Sequence, residues 1–155
     1  MALFSPLSRA IDTADLVFPT APAPRFMAEN LREINGWLLN GKRRTRSELH
    51  LRYPRYDQSN VLTDEDVLWR PEGLEEDESV RARVNGALKF IWERPETIVA
   101  VVAHGGLFKK MCDGNKMVRT VNDIGRFENC QLKSCSIKWN EEEGVFEVEE
   151  LKLPN

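Results

Sequence analysis

Hydrophobic positions along the chain fall into short runs separated by charged and proline-marked stretches, and the runs differ in period. Met1-Ala2-Leu3-Phe4 is apolar and stops at Ser5-Pro6, which predicts a strand end followed by a helix with Ser5 as cap and Pro6 in its first turn. Leu7, Ala10, Ile11, Ala14 and Val17 recur at helical spacing, with Arg9, Asp12 and Thr13 on other faces. Thr20 to Pro24 reads as a Pro/Ala linker, and Leu31 to Trp37 as a strand end turning into a loop. Ser47 is placed to cap a short helix through Glu48, Leu49, His50 and Leu51, which Tyr53-Pro54 ends. Residues 57–78 are acidic and irregular, with Trp69 expected to pin them to the core. Val80, Val84, Ala87, Leu88, Ile91 and Trp92 then trace one helix face, behind acidic residues that suit a helix start and before Pro95, which stops it. Ile98 to Ala103 is a short unbroken apolar run, read as a strand covered on both faces inside a mainly parallel sheet. Leu107 to Met111 begins a helix. Beyond a second loop near Asp113-Gly114-Asn115, Leu132 to Trp139 and Val145 to Leu151 alternate, with Glu143-Gly144 turning between them as a hairpin at the sheet margin. The pattern predicts an α/β fold whose sheet includes Leu3-Phe4, Ile98 to Ala103 and the two last strands.

At 155 residues the chain is expected to form a single domain, 1–155, with a core that needs no staples. A hydrophobic content of 41% with 30% charged residues is that of a globular protein, and a net charge of -3 argues against nucleic-acid binding. The three cysteines are odd in number and lack zinc-type spacing with histidine, so a reducing compartment and no metal or other cofactor are expected. No apolar run approaches membrane-spanning length, and Met1 to Phe4 is too short for a signal peptide. The expectation is a cytoplasmic protein.

Chemistry concentrates where the Ile98 run ends. His104, one of two histidines in the chain, follows it at once, and Gly105-Gly106 leads into the next helix. Open α/β sheets bind ligands at the carboxyl ends of their strands. The glycines leave N–H groups bare at a helix start, a ready anion site. The plainer reading is a core histidine with two turn glycines. Arg9 sits in the first turn after a strand end, where it opposes the helix dipole; it is either a solvated cation or a fork aimed at phosphate. Glu33 is by default a surface carboxylate. Gly41 to Arg46 is a basic run, read as a wet loop that could also draw anions towards a pocket. His50 is expected to be half-exposed on its helix.

Three segments together carry a family resemblance. Ser5-Pro6-Leu7-Ser8-Arg9-Ala10-Ile11-Asp12-Thr13-Ala14 resembles the S-P-L-x-R-A-x-x-T-A segment of the histidine phosphatase superfamily, the phosphoglycerate-mutase-like proteins. Leu31-Arg32-Glu33-Ile34-Asn35-Gly36 is similar to its L-x-E-x-x-G segment, and Val102-Ala103-His104-Gly105-Gly106 to its second-histidine segment. Tyr53-Pro54, Asp64-Glu65-Asp66 to Trp69, and Arg126 to Leu132 look like a eukaryotic branch. The resemblance implies a three-layer αβα sandwich with a mainly parallel sheet. It implies that a histidine takes the phosphoryl group as phosphohistidine, which water or another hydroxyl resolves. Arg9 would grip phosphate oxygens, His104 would donate to the oxygens that gain charge, Gly105 N–H would add a donor, and Glu33 would protonate the leaving oxygen. The substrate would be a phosphorylated small molecule or a phosphoprotein.

One family element has no counterpart. The superfamily begins with a strand ending in Arg-His-Gly, which supplies the nucleophile and a second arginine clamp, and no Arg-His-Gly occurs in these residues. His50 lies beside no glycine turn and is not placed to substitute. The expected fold therefore lacks its first central strand, beside the Ile98 strand, and self-association through that gap is anticipated. Two readings follow: a shortened phosphatase or mutase, or a non-catalytic module that binds a phosphorylated ligand or a protein. An α/β-hydrolase is excluded, because no G-x-S-x-G turn is present.

Overall fold

The computed structural model describes residues 1–20, 24–36, 38–112, 118–122, 124 and 126–151. The middle of the Pro/Ala linker, Trp37 and the Asp113-Gly114-Asn115 loop lie outside these residues. Four short strands, β1 (Ala2–Phe4), β2 (Arg25–Ala28), β3 (Asp57–Asn60) and β4 (Ala100–Val102), form one parallel sheet in the order β3-β2-β1-β4. Helices α1 (Ser8–Val17), α2 (Arg46–Arg52), α3 (Asp77–Trp92) and α4 (Gly105–Cys112) flank it. Parallel neighbours need crossovers, and each crossover carries helical residues, which is why helices cover both faces.

Alternation along β1 shows the layering. Ala2 and Phe4 point into one cluster with Ile11 and Ala14 of α1, Met27 of β2 and Leu49 of α2. Leu3 points the other way, into a cluster with Val80, Val84 and Leu88 of α3 and Leu107 and Met111 of α4. Each fully buried Leu or Val contributes about 1.5–3 kcal/mol of hydrophobic stabilisation. The predicted face of α3 is therefore its core face, although Trp92 at its end is half exposed.

The hairpin is present but belongs to a second sheet. Strands β6 (Ser134–Asn140) and β7 (Val145–Leu151) pair antiparallel, and β5 (Val118–Thr120) runs parallel to β7. Gly144 turns the hairpin at φ 65°, a conformation costly for other residues. Phe146 and Val148 of β7 join the α3/α4 cluster, so this second sheet shares the main core. The single sheet expected from the sequence is thus two sheets on one core.

β4 also differs from its expected setting. Ala100 and Val102 pack on the α1 cluster and Val99, Val101 and Ala103 on the α3/α4 cluster, so both faces are apolar as anticipated. It is nevertheless the last strand of its sheet and only half-buried. Ala100 N–H donates to Met1 O (3.0 Å) and Val102 O accepts from Ser5 N–H (3.0 Å), which turns the Val101 amide and carbonyl away from β1. No described strand pairs with that edge.

Three local expectations are corrected. α1 begins at Ser8, and Ser5 is not its cap; its hydroxyl accepts from Leu7 N–H at 3.3 Å. α2 is capped by Thr45 in a capping box with Glu48, not by Ser47, whose N–H and hydroxyl bind Asp64 instead. Trp69 is anchored to a loop rather than the core, its indole N–H donating to Leu38 O at 3.3 Å. Among the described residues no helix is long and apolar enough to cross a membrane.

Candidate active site

The cleft is built at the carboxyl ends of β1, β2 and β4. The parallel register sets Phe4 beside Val102, so the residues that follow, Ser5 and His104, emerge together. His104 Nε2 lies 2.8 Å from Ser5 Oγ. The Ser5 oxygen also accepts from Leu7 N–H. When the Ser5 hydroxyl donates to Nε2, the imidazole carries its proton on Nδ1, for which no described residue is a partner. His104 is 7% exposed. Burial, then the charges of Arg9, Arg83 and Arg32, push its pKa down from 6.5 to about 3, so the ring is a neutral hydrogen-bond donor near pH 7.

Glu33 reaches the same place from the segment after β2. Its carboxylate accepts from Ile34 N–H (2.9 Å), Leu107 N–H (3.1 Å) and Gly106 N–H (3.4 Å). Glu33 thus caps the start of α4, and two of the amides expected to be bare are occupied by it. Among the described residues nothing accepts from Gly105 N–H. A Cβ at Gly106 would stand 2.6 Å from Glu33 Oε1, so a larger residue there would displace the carboxylate from this cap. Arg9 lies in the first turn of α1, its guanidinium donating to Asn40 O at 2.5 Å. Burial pushes its pKa down and the charge of Glu33 pushes it back up, so Arg9 senses Glu33 as His104 senses Arg9. Glu33 and His104 therefore meet at the start of α4 beside the Gly105 amide, and Arg9 stands near enough for its charge to act on both. His50 is exposed on α2.

Two positioning residues carry no sequence signal for their role. Ser5 sits within the recognised S-P-L segment, where its spacing suggests a helix cap instead. Arg83, on α3, donates to Asn30 O (3.2 Å), Arg32 O (3.0 Å) and Glu33 O (3.5 Å) while paired to Glu75 at 2.6 Å. It holds the backbone that presents Glu33, and nothing in its sequence context marks it. Among the described residues no group of three or more His, Cys, Asp or Glu could hold a metal ion.

The depressed pKa of His104 has a measurable consequence. Between about 6.5 and about 3 the unfolded chain takes up a proton that the folded chain refuses. Stability is therefore full above this window and falls as pH drops through it. Above the carboxylate range, roughly pH 5, the slope of stability with pH is expected to flatten in His104→Gln. Equal slopes in denaturant titrations of the two proteins between these limits would refute the buried, neutral imidazole.

Comparison with known proteins places the chain in a family. A family model, Histidine phosphatase superfamily (branch 1), matches residues 1–150. A phosphoglycerate mutase-like protein of Arabidopsis thaliana is 35% identical over 124 residues, covering 74% of this chain and 44% of that protein. Phosphoglycerate mutase-like protein 2 of the same plant is 37% identical over 86 residues, 53% of this chain and 25% of its own length. Phosphoglycerate mutase-like protein 1 is 30% identical over 118 residues, 74% and 42% of the two chains. The chain thus spans less than half the length of these relatives. No solved structure matches. The family match runs through all three segments that meet in the cleft, and on it the chain belongs to the histidine phosphatase superfamily, branch 1.

Proposed function

We propose that this domain holds the phosphoryl group of a phosphorylated small molecule or phosphoprotein between the Arg9 guanidinium, the His104 Nδ1–H and the Gly105 N–H. Glu33 stands beside them as the general acid for the leaving oxygen. In a complete family member these groups serve phosphoryl transfer or phosphate-ester hydrolysis through a phosphohistidine. The observation that carries the reading is the meeting of three sequence-distant groups, on three parallel strands' carboxyl ends, around a neutral imidazole with one open nitrogen. The 155 residues contain no Arg-His-Gly, and His50 is exposed on α2. By this reading they bind phosphate without turning it over. The second reading is a non-catalytic phosphate-binding module, in which the same groups would hold the anion. The open edge of β4 supports self-association, because the outward amide and carbonyl of Val101 invite a further strand.

Titration with orthovanadate tests the binding. Charge-assisted hydrogen bonds are worth about 1.5–3 kcal/mol each. Arg9→Ala and His104→Ala are expected to weaken vanadate at least about tenfold, while His50→Ala leaves it unchanged. Vanadate affinity indifferent to Arg9 and His104 would sink the assignment.

A further inference from the structure

We propose that Ser47 is a phosphorylation site for an arginine-directed serine kinase, and that its phosphate releases the Asp64 segment from the start of α2. This inference is independent of the phosphate reading of the cleft. Ser47 is exposed, and four of the six residues ahead of it, Lys42, Arg43, Arg44 and Arg46, are basic with no acidic residue among them. Folding buries Arg43 and leaves Lys42, Arg44 and Arg46 on the surface. Arg44 has Glu48 at 4.0 Å, with both side chains about half exposed, a pairing of little strength. A kinase with an acidic substrate groove grips such guanidiniums by charge, and the charge pattern ahead of the hydroxyl selects the residue modified.

Neighbouring hydroxyls are less suited. Thr45 is half-buried, and its oxygen caps α2 by accepting from Glu48 N–H at 3.1 Å. Ser59 and Ser79 are exposed in acidic surroundings, the Ser59 amide on Asp57 at 2.7 Å and the Ser79 hydroxyl on Glu75 at 2.7 Å. A kinase reaches Ser47 when the first turn of α2 opens. That turn belongs to a helix of 7 residues, so its opening draws on the low end of local stability.

In the transfer, Ser47 Oγ takes the γ-phosphoryl group of ATP. A bond forms from Oγ to phosphorus, the bond to the β-phosphate oxygen breaks, ADP leaves, and the hydroxyl proton passes to the kinase's catalytic base. Before modification the Ser47 hydroxyl and amide both donate to Asp64 Oδ1, at 2.7 and 2.8 Å. These bonds hold the Asp64 carboxyl below the usual carboxylate range, so it is ionised near pH 7. The modified oxygen has no proton to donate and carries a group of charge about −1.5 to −2. Repulsion of Asp64 replaces attraction, while Arg44 and Arg46 gain an anion to pair with. Arg46 N–H donates to Asp64 O at 2.9 Å, so this amide and that of Ser47 are the first to be freed. The Arg43 guanidinium still holds the carbonyls of Thr63, Asp64 and Glu65. Asp66, in the same segment, pairs with Arg32 beside Glu33, which puts the modification one short stretch of chain from the cleft.

The test incubates the whole chain with ATP, Mg²⁺ and the kinase domain of a calmodulin-dependent protein kinase, which selects an arginine where Arg44 stands. Tandem mass spectrometry is expected to place the phosphate on Ser47. Ser47→Ala should take up none, and Arg44→Gln/Arg46→Gln should react about tenfold or more slowly. Amide hydrogen exchange then reads the consequence. The amides of Arg46 and Ser47 are expected to exchange about tenfold or more faster once Ser47 is phosphorylated. Asp64→Asn keeps an acceptor oxygen but has no charge to repel, so phosphorylation should not speed exchange in that variant. Phosphate on Thr45 or elsewhere, none at all, or a rate indifferent to the two arginines would overturn the site. Phosphate on Ser47 with unchanged exchange, or the same acceleration in Asp64→Asn, would overturn the release. Vanadate binding to the unmodified chain reports the cleft separately.

Discussion

Incubated with a generic aryl phosphate, the 155-residue chain is expected to turn over far below about one per second, the lower edge of ordinary enzyme rates. Acid-quenched labelling is expected to find no phosphohistidine. On the proposed reading the cleft positions a phosphoryl group and stabilises its charge, but binding the ground state does not lower the barrier. The family's route needs a covalent intermediate, and losing a nucleophile costs many powers of ten. Neither histidine present is a substitute. His50 is exposed on α2, and His104 is buried with Nε2 engaged by Ser5 and a pKa near 3, which makes it a weak base and a weak nucleophile. Turnover above the stated rate with label on either histidine would overturn the claim. An apolar strand ending in Arg-His-Gly, appended ahead of Met1, separates the two readings of the domain. Recovered turnover supports the phosphatase or mutase; its failure to recover supports the binding module.

The largest expected loss of stability follows removal of Asp66. The Arg32 side chain is 0% exposed and that of Asp66 1%, with 2.5 Å between Arg32 Nη1 and Asp66 Oδ1. A second bond, Arg32 Nη2 to Asp66 Oδ2 at 2.8 Å, makes the pair bidentate. Arg32 Nη2 also donates to Gly41 O (3.0 Å) and Asn35 Oδ1 (3.1 Å), and Arg43 N–H donates to Asp66 (2.8 Å). This node ties the Glu33 segment to the loop ahead of α2. Asp66→Ala leaves the buried guanidinium with only the longer Glu29 contact at 3.5 Å as counter-charge, a loss of about 3 kcal/mol. The double variant Arg32→Met/Asp66→Leu removes both charges and should cost less than either single truncation. Burial pushes the Asp66 carboxyl up, but the Arg32 hydrogen bonds and the Arg43 amide outweigh it and hold it below the usual range. Its contribution is therefore present above the ordinary carboxylate pKa and lost as pH falls below it. Chemical denaturation of the three proteins is the measurement. An Asp66→Ala change of less than about 1 kcal/mol, the ordinary cost of a substitution, would show the pair to be inert.

Much of the fold is legible in local pattern. The long helix α3 declares itself through apolar residues on one face, and its four buried positions Val80, Val84, Ala87 and Leu88 are those the period selects. The apolar run before His104 marks a strand, because a short β-branched stretch with a glycine pair behind it has few other uses. β2 and β3 leave no such mark. Arg25-Phe26-Met27-Ala28 and Asp57-Gln58-Ser59-Asn60 are too short and too polar to show a period; they are strands because β1 and then β2 offer them an edge.

The site divides along the same line. Arg9 and His104 can be picked out because residue type and neighbouring glycine, proline and apolar residues mark them within single segments, whereas Glu33, by default a surface carboxylate, is marked only by the family resemblance of its segment. Their chemistry cannot, because it depends on what faces them. Only the β1–β4 register sets Ser5 against His104, and only the approach of the Glu33 segment to α4 turns that carboxylate into a cap on Gly106 and Leu107. The basic run shows the same split. Along the chain Lys42, Arg43 and Arg44 are three equivalent cations, whereas folding buries Arg43 beside Glu29 and turns Lys42 and Arg44 outward around a pocket. Spacing along the chain is a local property, and it determined where the reactive residue types stand. Desolvation and charge partners are properties of contacts between distant segments, so the tertiary structure alone decided their protonation, their partners and their direction.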